Sequence, residues 1–491
     1  MHVSSTDDSL TRTADRIARG EARAADVAEA ALERIARLDP ELGAFLTVTA
    51  EDARRAAAAV DRSRSERASL GKLAGVPIAV KDALCMKGAP TTCASRVLEG
   101  YIPPYEATVV TRLRAAGAVL VGKTNMDEFA MGSSTEHSAY FPCKNPWDRT
   151  KTPGGSSGGS ATAVAARLSL AALGSDTGGS IRQPASSTGT VGIKPTFGRV
   201  SRYGLVAFAS SLDQVGAFAT DVRGAARVLS VIAGADPRDA TSVDRVVPDF
   251  EAACGQDVRG LRIGVLEEAF GDGLDADVRA AFEASIEALR ALGCSVARVS
   301  LPSLRHAVAT YYVLATAEAS SNLARFDGVR YGRRVMPRPD ASLAEMIGAT
   351  RDAGFGAEVK RRILLGTFVL SADAFEAYYV KAQKVRRLVR DELLGLLGNV
   401  DAVLSPTAPT PAFALGAHAQ DPLAMYLSDV YTVPASLAGF PAMSVPCGLS
   451  TTGLPIGLQI VTRPFDEETA LRLGAAYEAV SPFLGRRAPC P

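Results

Sequence analysis

Short apolar runs alternate with helical stripes along this chain, and that alternation limits the folds open to it. Residues 76–80 read as a buried strand, 108–116 as a helix and 118–121 as a second strand. A loop made only of Gly and Ser follows at 154–159, then a helix at 161–167 and a strand at 169–173. The tight turn Thr177-Gly178-Gly179-Ser180 closes the series. A second unit has strands at 261–265 and 294–299 around a helical stripe of Val278, Phe282, Ile286 and Leu289. Further strands are expected at 401–404, 443–446 and 456–461. Strands alternating with helices in this way predict an α/β fold, with a mixed, mainly parallel central sheet covered by helices. Near the N-terminus, Val27, Ala31, Leu32, Ile35 and Leu38 share one helical face that Pro40 is expected to stop, and 52–68 reads as a second helix. One large domain over 1–491 is favoured, with its core at about 70–220. The charged stretch 331–360 is the least core-like and places an insertion or cap at about 305–390.

Composition removes several function classes. Lys plus Arg number 54 and Asp plus Glu 53, with no block of like charge, so the chain lacks the footprint of a protein that grips a nucleic-acid backbone by itself. The seven cysteines are scattered and form no C-x-x-C pair, which predicts no disulfide framework, no metal site and a cytoplasmic setting. The start, with Asp7 and Asp8 and no apolar segment, predicts no signal or transit peptide. No apolar run approaches ~18 residues, so no membrane span is expected. The four histidines are His2, His137, His306 and His418, and no Gly-x-Ser-x-Gly elbow is present. A Ser-His-Asp mechanism is therefore poorly supported. His137 lies in a polar stretch that can line a cleft; a surface or satisfied role is the favoured reading for all four.

Three features carry chemistry. The stretch 153–160 is not a phosphate-binding loop, because Ala161 and Thr162 stand where Gly-Lys-Ser/Thr would be needed. Regular segments on both sides make it a rigid loop rather than a linker. In the turn after the 169–173 strand, two glycines allow a sharp bend, and N–H groups from Thr177 to Ser180 can converge as an oxyanion nest. Lys81 ends an apolar strand. It is either a snorkelling strand-end lysine or a buried base whose proton affinity is lowered by desolvation. Asp82 follows it but faces the other side of the strand.

The set Gly75-Val76-Pro77-Ile78-Ala79-Val80-Lys81-Asp82, 154–160 and 176–182, with Ser156 and Ser180 24 positions apart, resembles the amidase-signature hydrolases over almost the whole chain. The resemblance implies a catalytic triad of Lys81 as base, Ser156 as relay after a cis peptide bond from Gly155, and Ser180 as nucleophile. It also implies an oxyanion hole from Thr177, Gly178, Gly179 and Ser180. The segments 125–136, 318–323, 325–328 and 360–363 are similar to the A subunits of bacterial aminoacyl-tRNA amidotransferases, although His137 stands where relatives often have Asn. That narrower resemblance implies a glutaminase. Its product ammonia converts Glu-tRNA(Gln) to Gln-tRNA(Gln), and in many organisms Asp-tRNA(Asn) to Asn-tRNA(Asn), in a heterotrimer with B and C subunits. The same resemblance implies a glutamine pocket in which Arg362 meets the α-carboxylate and Asp429 the α-ammonium. Tyr311 or its neighbour Tyr312 lines it, as do Met131, Gly132 and Ser133. It implies no cofactor in this chain; ATP and Mg2+ act at the B subunit, which also holds the tRNA. A stand-alone amidase for another small amide is the alternative, and a non-catalytic scaffold is argued against by the intact Lys81, Ser156 and Ser180 set. Asp176 and Arg182 are expected to orient the nucleophile's turn.

Overall fold

The computed structural model describes residues 9–490; the readings on His2 and on the first eight residues, and Pro491, lie outside them. Its strands are β1 (Phe45–Val48), β2 (Pro77–Lys81), β3 (Val119–Thr124), β4 (Ala171–Asp176), β5 (Val191–Lys194), β6 (Gln214–Ala219), β7 (Arg262–Leu266), β8 (Ser295–Val299), β9 (Ala402–Pro406), β10 (Ala442–Leu449) and β11 (Pro455–Val461). All join one 11-stranded sheet in the order β1-β3-β2-β4-β6-β5-β10-β11-β9-β7-β8. The α/β class and the mixed sheet follow the sequence reading. The weight on parallel pairing does not. Only β2–β3, β2–β4, β7–β8 and β7–β9 run parallel, and the other neighbours are antiparallel. The parallel pairs are the ones with helices between them, which leave a visible rhythm. Of the antiparallel partners, β5 has only four residues, and β6 carries Gly216, Ala217 and Ala219, so they give little strand signal.

β2, β3 and β4 are buried on both faces. This is why they read as apolar runs rather than alternating ones. Each fully buried Val, Leu or Ile there contributes ~1.5–3 kcal/mol. A charged side chain in the same layer must be explained by partners or by function.

Helix boundaries differ from expectation at two places. The first long helix runs Ala24–Leu42 and carries Pro40 inside its last turn. A proline so close to the end removes little of the ladder, and the stop comes from Gly43, which adopts a left-handed conformation and donates its N–H to Asp39 O at 2.8 Å. The helix expected at 161–167 begins earlier, as Gly158–Ala165, so the Gly/Ser loop runs straight into a helix N-terminus.

The charged region forms the helices Leu343–Gly354 and Ala357–Val369, which lie between Leu304–Asn322 and Lys381–Asn399 in the chain. Of these, Leu304–Asn322 packs closely on Ala357–Val369 and on Lys381–Asn399. Among the described residues no single helix is long and apolar enough to cross a membrane.

Candidate active site

β2 and β4 are parallel neighbours, with Val80 opposite Leu173. Their C-terminal ends therefore open at the same edge of the sheet, where ligands of α/β proteins usually bind. Lys81 is the last residue of β2 and has no solvent exposure. Its Nζ lies 2.8 Å from Ser156 Oγ, 2.7 Å from Ser157 Oγ and 3.0 Å from Ser175 Oγ. Among the described residues no carboxylate bonds it. Burial pushes its ammonium down to about 7, against the pull of Asp127, Asp176 and Asp213. The second buried lysine nearby behaves differently: Lys123 on β3 meets Asp82 at 2.8 Å. The acid that follows Lys81 in sequence is thus spent on another lysine, and Lys81 keeps hydroxyl neighbours in place of a counter-charge. A lone buried charge costs several kcal/mol, so the neutral amine becomes accessible near neutrality.

The Gly/Ser loop delivers Ser156 through a cis bond between Gly155 and Ser156. Ser157 N–H donates to Ser180 O at 3.2 Å, which ties this loop to the turn after β4. Ser157 Oγ also donates to Ser175 O at 3.1 Å.

That turn is held from behind. Asp176 and Arg182, both fully buried, pair through two hydrogen bonds of 3.0 and 2.9 Å. Burial raises the proton affinity of Asp176, yet Arg182 wins and holds its carboxyl below the ordinary range. Arg182 continues to Thr432 O and Gln459 Oε1, each at 2.7 Å. Thr177 Oγ1 donates to Asp213 at 2.7 Å, and Thr432 Oγ1 to Gly178 O at 2.7 Å. These bonds fix the turn while the N–H groups of Gly178, Gly179 and Ser180 donate to no protein acceptor among the described residues. Gly179 has φ 153°, and a Cβ there would lie 2.2 Å from Thr432 Oγ1. Only glycine fits that place.

Of the residues expected in the pocket, Tyr311 and Asp429 lie against the same turn, and Ser133 joins them through Asp429. Tyr311 packs on Gly178, where an added Cβ would stand 2.7 Å from its ring. Tyr312 instead stacks on Tyr426, with centroids 3.8 Å apart. Tyr311 is therefore the tyrosine at the turn after β4. Asp429 is buried, accepts from Ser133 Oγ at 2.5 Å through Oδ2, and has no partner for Oδ1 among the described residues. Burial raises its carboxyl to about 7. Arg362 is buried under Tyr312, 5.1 Å from the ring centre, and bonds Glu358 Oε1 at 2.7 Å through Nε. Gly132 packs against the Asp127 carboxylate, and Met131 lies within the core. His137 donates its backbone N–H to Asp127 at 3.1 Å and borders a cavity shared with His418, Glu358 and Tyr426. Among the described residues no group of three or more His, Cys, Asp or Glu could hold a metal ion.

This arrangement is a buried amine, a chain of serine hydroxyls and a turn of free N–H groups, suited to acyl transfer through an oxygen nucleophile. Residues 26–471 match the family model described as Amidase. The chain belongs to the amidase family. Among its relatives, the A subunit of the glutamyl-tRNA(Gln) amidotransferase of Synechococcus sp. (strain RCC307) is 55% identical over 477 residues, covering 97% of this chain and 98% of the relative. The protein of the same name from Myxococcus xanthus (strain DK1622) is 54% identical over 484 residues, 99% of each chain. The crystal structure of the corresponding glutamyl-tRNA(Gln) amidotransferase A subunit from Thermotoga maritima superposes with a TM-score of 0.82 at 45% identity, covering 100% of this chain and 99% of that one.

Several residues of this amidase site escaped the sequence reading. Ser157 stood inside the Gly/Ser loop and could have been found there. Glu358 lies one helical turn before Arg362, a spacing that signals an ion pair. Ser175, Asp127, Asp213 and Thr432 left no local signal, because their contacts depend on the tertiary fold.

Proposed function

We propose that this chain is the glutaminase subunit of a glutamyl-tRNA(Gln) amidotransferase, and that Lys81, Ser156 and Ser180 form its catalytic triad. The observation that carries the glutamine assignment is Asp429. It presents an unpartnered, buried carboxylate oxygen beside Gly179, in a pocket that also feels Arg362. An unsatisfied buried oxygen is costly. An α-ammonium group would satisfy it, with Arg362 taking the α-carboxylate and Tyr311 lining the space between. A pocket for an aryl or aliphatic amide has no use for such a pair. Met131, Gly132 and Ser133 supply the adjoining wall.

The hydrogen bonds around Lys81 support the first step of the proton path. A neutral lysine has two N–H donors and one lone pair. Ser157 spends its own proton on Ser175 O, so it accepts from Lys81. The second N–H goes to Ser175 Oγ, which leaves the lone pair for Ser156. Lys81 thus takes the Ser156 proton as Ser156 takes that of Ser180. Ser180 Oγ attacks the glutamine side-chain amide, and the N–H groups of Thr177 to Ser180 hold the oxyanion. The amide nitrogen receives the proton and leaves as ammonia. Water then releases glutamate from the acyl-serine.

The ammonia serves a heterotrimer with B and C subunits in the cytoplasm. The B subunit binds Glu-tRNA(Gln) and uses ATP and Mg2+ to activate the tRNA-bound glutamate. Asp-tRNA(Asn) is a second candidate acceptor. The signature core at about 70–220 carries the triad, and the helices within 305–390 act as the cap that brings Tyr311 and Arg362. The test is ammonia release by the chain alone and in the reconstituted complex. Adding B and C subunits, ATP and Glu-tRNA(Gln) is expected to raise glutamine hydrolysis at least about tenfold, roughly 1.4 kcal/mol of coupling. Fast hydrolysis of simple amides by the chain alone, indifferent to partners, would establish a stand-alone amidase instead.

A further inference from the structure

The segment between β3 and the substrate wall is a junction. Phe129 and Ala130 have positive φ, 48° and 62°, so successive side chains leave in different directions. Asp127 turns towards the loop that follows and accepts the N–H groups of Thr135 and His137 at 2.9 and 3.1 Å. Phe129 packs on Phe326 and Phe355, with centroids 4.9 and 5.7 Å away. Glu128, buried between them, crosses to the far helix. Its Oε2 accepts the N–H of Gly356 at 2.8 Å, the residue that opens helix Ala357–Val369. Its Oε1 accepts from Ser95 Oγ, which also lies 3.2 Å from Gly354 O. A carboxylate at a helix N-terminus satisfies an orphan donor and favours the helix dipole. No side chain of Gly356 itself can do this, and Arg362 stands on the inward face of the same helix.

We infer that Glu128 is a positioning residue for glutamine selection: by clamping Gly356 it sets the depth and rotation of the helix that carries Arg362. The inference rests on the reading of Arg362 as the α-carboxylate partner. Glu128 does not touch the pocket charge itself; it fixes where that charge stands. Burial raises the Glu128 carboxyl to about 7. A neutral side chain of the same shape can still accept from Gly356 and donate to Ser95, so glutamine should replace it.

The experiment uses the assembled amidotransferase with Glu128→Ala, Glu128→Gln, Arg362→Ala and the Glu128→Ala/Arg362→Ala double variant. Two substrates are compared: glutamine, and a short aliphatic amide without α-carboxylate. Glu128→Ala is expected to raise the glutamine KM about tenfold, with kcat and short-amide turnover within about twofold of the parent. Glu128→Gln should restore the glutamine KM. In the Arg362→Ala background the Glu128→Ala effect should vanish, since there is no carboxylate partner left to misplace. An unchanged glutamine KM in Glu128→Ala overturns the inference, as does an equal loss on both substrates or full additivity with Arg362→Ala. If Arg362→Ala itself leaves the glutamine KM unchanged, it is the glutamine pocket reading that fails.

Discussion

Burial brings both Lys81 and Asp429 to about 7, and in the proposed mechanism each must be deprotonated to act. For Lys81 the neutral form is the base; for Asp429 the charged form holds the ammonium. Both conditions fail in the same direction, so kcat/KM for glutamine is expected to fall as pH drops below about 7, measurable as an acid limb in the rate profile. Lys81→Arg should remove that activity nearly as fully as Lys81→Ala, because a guanidinium cannot deprotonate. Substantial turnover by the Arg variant would make Lys81 a structural cation. Ser180→Ala should lower glutaminase activity by several orders of magnitude while ammonia-dependent amidation in the complex survives. Losing either Arg362 or Asp429 should weaken glutamine use by ~2–5 kcal/mol, yet leave Ser180 reactive towards a small acylating reagent. The tyrosine assignment shows what sequence could not give at this scale. Tyr311 and Tyr312 are adjacent and alike, and only the packing of Tyr311 on Gly178 separates them.

The strand β4, its turn and the helix Arg182–Thr188 make one element that carries the proposed nucleophile, and the Asp176–Arg182 pair braces it. Asp176→Asn would leave Arg182 buried without its charge partner. The expected cost is ~3–5 kcal/mol of stability, visible as a lowered Tm, together with loss of glutaminase activity. A variant with unchanged Tm would show that Thr432 and Gln459 suffice to hold Arg182. Gly178→Ala is expected to drive a methyl into the Tyr311 ring and lower kcat, with Tyr311→Ala in the same chain relieving the collision. Elements such as this were legible because an apolar strand, two glycines and a serine follow one another in sequence. The same holds for β2, β3 and the β7–β8 unit. β5 and β6 were not legible, because β5 is only four residues long and Gly216, Ala217 and Ala219 weaken the apolar signal of β6. Arg362 sat in the run Lys360 to Arg362, where composition alone suggests a solvated face. Helical rotation turns Arg361 outwards and buries Arg362.

Across the whole molecule, the sheet order sets distant parts of the chain side by side. β5 pairs with β10, and Arg182 in the first half of the chain bonds Thr432 and Gln459 in the last quarter. Sequence reading found both halves but had no means of joining them, so the single sheet was legible as a class and not as an order. A chain cut after Asn399 lacks β9 to β11 and both acceptors. It is expected to give no acylation at Ser180, assayed by mass spectrometry with a small acylating reagent. The delay built into this topology has a biological side. Gln459 follows Arg182 by 277 positions. At ~5–20 residues per second of synthesis, the ribosome needs roughly 15–55 s to make that length. Throughout that interval the proposed nucleophile Ser180 stands beside an Arg182 that still lacks Thr432 and Gln459, so a half-made polypeptide is expected to consume no glutamine, and hydrolytic competence to arrive late in synthesis.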